Sequence, residues 1–243
     1  MNILYAGDSP AGGPANYLLG ILKHSRAKVS HFPPGESLPE QIANRKFDAF
    51  IFSDFSHKDL SLDLERALCR QIVDGAGLLM VGGWGSFSGP LGGWGGSQVE
   101  SLLPVACANQ DDRLNFPQGA FCRKVADHAI LQNLDWSGGP AILGINQVTV
   151  KKEGKILLEL QPVQRKGSRC SLSPQTFPLL VIQTNDSLRS AALTTDVAPH
   201  WCGGLVDWGE KPIRLAVNER IHIEVGNYYV RFVKQLIDWV AGK

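Results

Sequence analysis

Apolar and polar positions in the first hundred residues alternate between two periods. Residues 2–7, 28–32, 47–54 and 77–81 are short apolar runs bounded by Gly, Pro or Asp, the mark of strands buried on both faces. Between them the spacing becomes helical. Tyr17, Leu18, Ile21 and Leu22 share a face in residues 14–24, and Pro14 suits a first helical turn. Residues 38–44 predict a short helix. In residues 60–74, Leu60, Leu64, Leu68 and Ile72 form one stripe, with Asp59 placed to cap it and Gly75 to end it. Strands alternating with helices predict right-handed βαβ units and a parallel sheet.

The later pattern is less regular. Residues 102–106 predict a strand, 111–118 a loop and 129–134 a helical turn. Two hairpins are expected, one from 147–152 and 155–160 around Glu153-Gly154, the other from 179–183 and 190–194 around Asn185-Asp186-Ser187. Both would add antiparallel strands to the parallel core. Tyr229, Phe232, Val233, Leu236, Ile237 and Val240 predict an amphipathic helix docked on the sheet. Neither a repeat nor a low-complexity linker interrupts the 243 residues, so 1–243 reads as one α/β domain.

Charge narrows the partners. Lys plus Arg number 24 and Asp plus Glu 23, a net charge of +1. The densest basic points, Lys151-Lys152 and Arg165-Lys166, read as solvated loop charges. Without a basic stripe, nucleic acid is not an expected partner. No apolar stretch is long enough to span a membrane, and the N-terminal residues lack the basic region of a signal peptide. Five cysteines, an odd count without short spacing, fit neither a zinc pattern nor a disulfide framework. A reducing, cytoplasmic setting is the expectation.

Candidate chemistry gathers where the strands end, the edge at which open α/β sheets bind ligands. Asp8 and Ser9 follow the first strand, Ser53 and Asp54 end the third, and Gly82-Gly83-Trp84-Gly85-Ser86-Phe87-Ser88 follows the fourth. In a flavodoxin-like strand order the first and third strands are neighbours, which would bring Asp8 beside Asp54. Two close carboxylates share a proton or hold a hard cation; alternatively each caps the turn after it. The glycines form either a nest of backbone amides for an anion or oxyanion or a plain tight turn. Their spacing misses the dinucleotide fingerprint, and no Walker motif occurs, so neither cofactor is expected. Gly92-Gly93-Trp94-Gly95-Gly96 reads as a flexible loop over the site. Farther on, Asp196 could orient His200 for proton exchange, or close a turn while His200 packs on Trp201. Ser86 or Ser88 with His200 and an Asp would make a nucleophilic set. Cys202 stands two residues beyond His200.

Three segments carry a family resemblance. They are residues 75–87 continuing to 99–105, residues 193–201 (Leu-Thr-Thr-Asp-Val-Ala-Pro-His-Trp), and the closing Tyr229-Val230-Arg231-Phe232 through Gln235-Leu236-Ile237-Asp238-Trp239. In this order they resemble the glutamine amidotransferase-like family of the class I amidotransferase-like superfamily, and more distantly its trehalose-utilisation-type domains. The resemblance implies a flavodoxin-like three-layer sandwich around a mostly parallel sheet. It also implies a Gly-x-Cys-x-Gly elbow after the fourth strand and a later His-x-Glu. Here Gly83 or Trp84 stands where that cysteine belongs, and His200 is followed by Trp201 and Cys202. The family's catalytic triad therefore carries over to no residue of this chain.

Two functions follow as expectations. The first is binding, without glutaminase activity, of a small polar or anionic metabolite or a protein partner. Asp8, Ser9, Asp54, Gly83, Trp84, Ser86, Asp196, His200 and Trp201 would line the site. Gly83 and Trp84 would present amides, and Trp84 or Trp201 would cover the ligand. The alternative is a hydrolase with His200 as base, Asp196 orienting it and the Gly82-Gly85 turn as oxyanion hole. A third, structural reading packs the Trp84–Trp94 loop against another chain, in a homo-oligomer for example.

Overall fold

Five short strands stand side by side as a parallel unit. In the computed structural model, which describes residues 1–10 and 13–243, these are β1 (Asn2–Gly7), β2 (Lys28–Phe32), β3 (Ala49–Ser53), β4 (Gly77–Val81) and, from far along the chain, β12 (Leu188–Leu193). Their order is β2-β1-β3-β4-β12, consistent with the order of flavodoxin-like sheets. Helix α1 (Ala15–His24) and the last helix, α5 (Asn227–Val240), cover one face; α2 (Leu62–Val73) and α3 (Gln98–Leu102) cover the other. Side chains alternate accordingly. Ile3, Tyr5, Ile51, Leu79 and Val81 enter the core under α1 and α5. Leu4, Ala6, Phe50, Phe52, Leu78 and Met80 enter the core under α2. This two-sided burial is why the strands read as unbroken apolar runs.

Beyond β12 the direction alternates. β11 (Phe177–Asn185), β9 (Lys155–Lys166), β6 (Arg113–Lys124) and β7 (Ala141–Asn146) extend the sheet antiparallel, and β10 (Arg169–Leu172) pairs with β9. β5 (Val105–Cys107) pairs with β8 (Val148–Val150), and β13 (Pro212–Ala216) with β14 (His222–Gly226), as separate ribbons. A four-residue helix, α4 (Pro199–Cys202), carries His200.

Several expectations are corrected. Ser61, not Asp59, caps α2: its Oγ accepts from the Leu64 amide at 3.2 Å. Residues 111–118 belong largely to β6 rather than to a loop. Residues 147–152 and 155–160 do not pair with each other, because β8 joins β5 while β9 joins β6 and β11. The expected β11–β12 hairpin forms, with Asp186 left-handed at its tip (φ 49°), but β12 also completes the parallel unit. Lys151 is not a solvated charge. Its ammonium donates to the carbonyls of Glu100 and Leu103 behind α3.

Candidate active-site edge

The register of β1 on β3 sets Gly7 opposite Ser53, so the next residues of both strands meet at the switch point of the sheet. Both leave their strands left-handed: Asp8 has φ 47° and Asp54 φ 53°, conformations uncommon outside glycine. Neither acts as the side-chain cap of a following helix. Asp8 is buried and its Oδ2 accepts from the Tyr5 hydroxyl at 2.6 Å. Asp54 instead clasps the glycine turn. Its Oδ1 accepts from the Gly85 amide, and its own amide donates to Ser86 Oγ at 3.0 Å.

The third carboxyl arrives after β12. Asp196 Oδ1 accepts from the amides of Val197 and Ala198, the latter at 3.1 Å, and Oδ2 lies 3.3 Å from His200 Nε2. Its loop is pinned from α5, where Tyr229 donates to the Val197 carbonyl at 2.8 Å. The Asp196 carboxyl is 2% exposed while His200 is 56% exposed. The imidazole thus stands on the rim over a buried acid, and does not simply pack away.

Burial dominates the electrostatics. It pushes the Asp8 carboxyl from 3.8 up to about 7; hydrogen-bonding groups at Ser53 and Tyr5 temper the rise, and the Asp54 charge adds to it. Asp196 is likewise held well above the ordinary carboxylate range, by burial first and then by Asp8 and Asp54. Asp8 therefore feels the Asp54 charge, and Asp196 feels both. The Ser53 hydroxyl influences Asp8 without forming a hydrogen bond in good geometry. Among the described residues, Asp8 Oδ1 and Ser53 Oγ are buried with no partner.

The glycine turn is not an open nest. The Gly82 amide donates to the carbonyls of Leu193 and Thr195, the Gly83 amide to Asn146 Oδ1 at 2.9 Å, and the Gly85 amide to Asp54. Gly83 therefore does not present its N–H to a ligand, and of these four residues the Trp84 amide alone has no acceptor among the described residues. A side chain at Gly83 would not fit either, since its φ is 155° and a Cβ would stand 2.8 Å from Asp54 Oδ1.

The other expected residues separate. Ser86 is buried and anchors Asp54, so it is a positioning residue here. Ser9 lies exposed at the rim, where its carbonyl accepts from Ala15. Trp84 is half exposed, with the Arg113 guanidinium 4.3 Å from its ring centre. Trp201 is no cover: it is buried against Gly144, and its Nε1 donates to Asn115 at 3.1 Å. Cys202 is fully buried, with its thiol pushed well up by burial. Trp94 pins the second glycine cluster inward, donating to the carbonyls of Phe55 and Gly85 at 2.9 and 3.2 Å. A polar cavity of about 600 Å³ beside that cluster is lined by Ser88, Glu100, Cys107 and Asp111, among others, but not by the three acids.

Four residues were hidden in the sequence. Tyr5 and Tyr229 sit inside apolar periodicities that read as core. Asn146 and Asp112 form a buried bridge: Asn146 Nδ2 donates to Asp112 Oδ1 at 2.6 Å, and Asp112 Oδ2 accepts from the Ser88 amide at 2.8 Å. Nothing in their local sequence marks them.

Comparison with known proteins agrees with this architecture. The cytoplasmic protein STM1381 of Salmonella typhimurium LT2 is 21% identical, with 99% of both chains covered and a TM-score of 0.72. The cytoplasmic protein STM3548 of Salmonella typhimurium is 18% identical, again over 99% of both chains, with a TM-score of 0.74. A putative ThuA-like protein from Parabacteroides merdae, 13% identical, covers 100% of this chain and 91% of its own at a TM-score of 0.58. These likenesses are of fold. No curated protein matches the sequence. No helix among the described residues is long and apolar enough to cross a membrane. The family model described as putative glutamine amidotransferase matches residues 11–220, and the chain belongs to that family.

Proposed function

We propose that this chain is a glutamine amidotransferase-like protein that binds a small polar ligand at the carboxyl edge of its sheet and does not hydrolyse glutamine. In this reading it is one flavodoxin-like three-layer domain and works in the cytoplasm. The observation that carries the reading is the convergence of Asp8, Asp54 and Asp196, from three strand ends, around unpartnered buried oxygens. Such groups are costly to bury without a partner, and sites tolerate that cost where a ligand supplies one. An anionic ligand, part of the sequence expectation, would find only the Trp84 amide without an acceptor in the Gly82–Gly85 turn.

The thiols argue against glutaminase chemistry. A reactive cysteine needs an environment that favours its thiolate. Burial instead pushes Cys69 up to about 12 and raises Cys107, Cys122 and Cys202. The fifth, Cys170, lies on β10, away from the three acids. Gly83 or Trp84 occupies the elbow position that the family resemblance assigns to cysteine. The experiment is a thermal-shift screen against polar metabolites, run beside a glutaminase assay. Saturation at 100 times the dissociation constant adds about 2.7 kcal/mol of stability. A shift lost in Asp54→Asn, with no glutamate released, supports the proposal; ammonia release from glutamine sinks it.

The His200–Asp196 pair favours a second reading, a hydrolase in which His200 acts as base and Asp196 orients it. That enzyme would find its oxyanion donor outside the Gly82, Gly83 and Gly85 amides. Turnover abolished in a folded His200→Ala variant would favour the enzyme; binding that survives the same change would favour the binding protein.

A further inference from the structure

On the α2 side of the sheet the covered core runs as far as Val181 of β11 and Ile156 of β9. Beyond it the antiparallel strands are covered on one face alone. Ala120, Cys122, Ile142 and Leu160 point into the core under α1 and α5, so the residues between them face the other way. Pairing gathers these outward positions. Phe121 stands opposite Ala141 and Gln161, Val163 stands opposite Leu172, and Leu143 shares the face of Ala141. Phe121, Leu143 and Leu172 are 45%, 39% and 50% exposed and belong to neither core. Grouped apolar exposure with a polar rim marks an interaction surface.

The rim is charged with opposite sign at the two ends of β9. Glu159 closes one end, where its Oε2 accepts from Arg123 at 2.8 Å. Arg165 closes the other end on the same face. Its Nε donates to the Gly167 carbonyl at 3.0 Å, and it meets no acid among the described residues. Pro162 lies midway between them. We propose that this face is covered by the same face of a second copy of the chain, across a two-fold axis that crosses the strands near Pro162. That axis reverses strand direction. It stacks apolar centre on apolar centre and sets Arg165 of each copy over the partner subunit's Glu159. Two-fold contacts require such self-complementarity, and sheets of equal twist pack with their strands nearly aligned. Opposite charges at the two ends favour a second copy over a partner of single sign. Four strand positions about 4.8 Å apart, each about six residues long, span roughly 19 by 20 Å. Two such faces, with their side-chain relief, bury on the order of 1,000 Å², the lower limit of a specific interface. The dimer therefore dissociates on dilution. It uses none of the carboxyl-edge residues, so it stands or falls apart from the ligand reading.

The test is sedimentation equilibrium of the intact protein from micromolar to submillimolar concentration. The expected result is a monomer–dimer equilibrium, weakened at least tenfold by Phe121→Asp and by Leu143→Asp. Leu62→Asp, at an equally exposed leucine on α2, should leave it unchanged. Arg165→Glu, on the exposed ribbon where the fold does not depend on it, should also weaken the dimer, and adding Glu159→Lys should restore it. Circular dichroism checks each variant. A monomer at every concentration would overturn the proposal. So would a dimer that survives Phe121→Asp and Leu143→Asp, one that Leu62→Asp disrupts, or one in which the charge reversal brings no recovery. Assemblies larger than two copies would overturn the two-fold.

Discussion

Asn146 grips Gly83 from both sides: its Oδ1 accepts from the Gly83 amide at 2.9 Å and its Nδ2 donates to the Gly83 carbonyl at 3.2 Å. One amide side chain from β7 thereby fixes the turn that follows β4, and through Nδ2 it also holds Asp112. Replacing Asn146 by Leu strands the Gly83 amide and one oxygen of the Asp112 carboxyl in the interior, while the Gly83 carbonyl keeps the Ser86 amide at 3.3 Å. Each such orphan costs roughly 1–3 kcal/mol. Urea denaturation should register a loss of about 3 kcal/mol or more, and Asn146→Leu as stable as the wild type would remove the grip from the account.

Asp8 makes stability fall as the solution is made more alkaline. Its folded-state pKa lies above its unfolded one, near 7 against 3.8, so between those values the folded protein holds a proton that the unfolded chain has released. Stability therefore declines from about pH 4 to pH 7, by an amount on the order of 4 kcal/mol from this group. Asp196 acts in the same sense. Asp8→Asn should stabilise the protein at pH 8 and flatten the difference between pH 5 and pH 8. Equal pH dependence in both proteins would contradict the burial of this carboxyl.

Trp201 is core rather than cover. Removing its indole in Trp201→Ala empties a site walled by Gly144, at about 3–5 kcal/mol for a large aromatic truncation. The converse change, Gly144→Ala, would set a methyl 2.5 Å from the indole and should also lower the melting temperature. A Trp201→Ala protein that melts like the wild type would restore the ligand-covering role.

Thiol accessibility gives a direct count. Cys170 is exposed, Cys107 is half-buried, and Cys69, Cys122 and Cys202 are buried. A native-state titration with a disulfide reagent at pH 8 should show one fast thiol, lost in Cys170→Ser, and five after unfolding. A second fast thiol in the native protein would mean that burial at Cys107 does not suppress its reactivity.

The sequence made the switch-point acids legible because their positions follow from strand ends alone. Asp8 and Asp54 come directly after apolar runs whose bounds are set by Gly, Pro and Asp. The antiparallel half was harder to read. β6 contains Pro117 and Gly119, both depleted in strands, and its pairing with β7 skips between Asn115 and Ala120. The Glu153-Gly154 turn signal suggested a local hairpin, but β8 finds a better partner in β5, some forty residues back. The Gly83 donor is lost for a similar reason: its amide is claimed by Asn146 and the Gly85 amide by Asp54, distant residues that no local pattern connects to the turn.

The pairing of β4 with β12 also governs when this edge can exist. Leu78 waits for Ser190 and Val81 for Leu193, so more than a hundred residues must be synthesised between the two halves of that ladder. Non-local pairing of this kind slows folding. A nascent chain that has made β1 to β4 has an uncovered strand flank and two of its three acids; the third emerges just behind the strand that covers the flank. Closure of the sheet and assembly of the carboxyl cluster are thus a single late event in the life of each molecule.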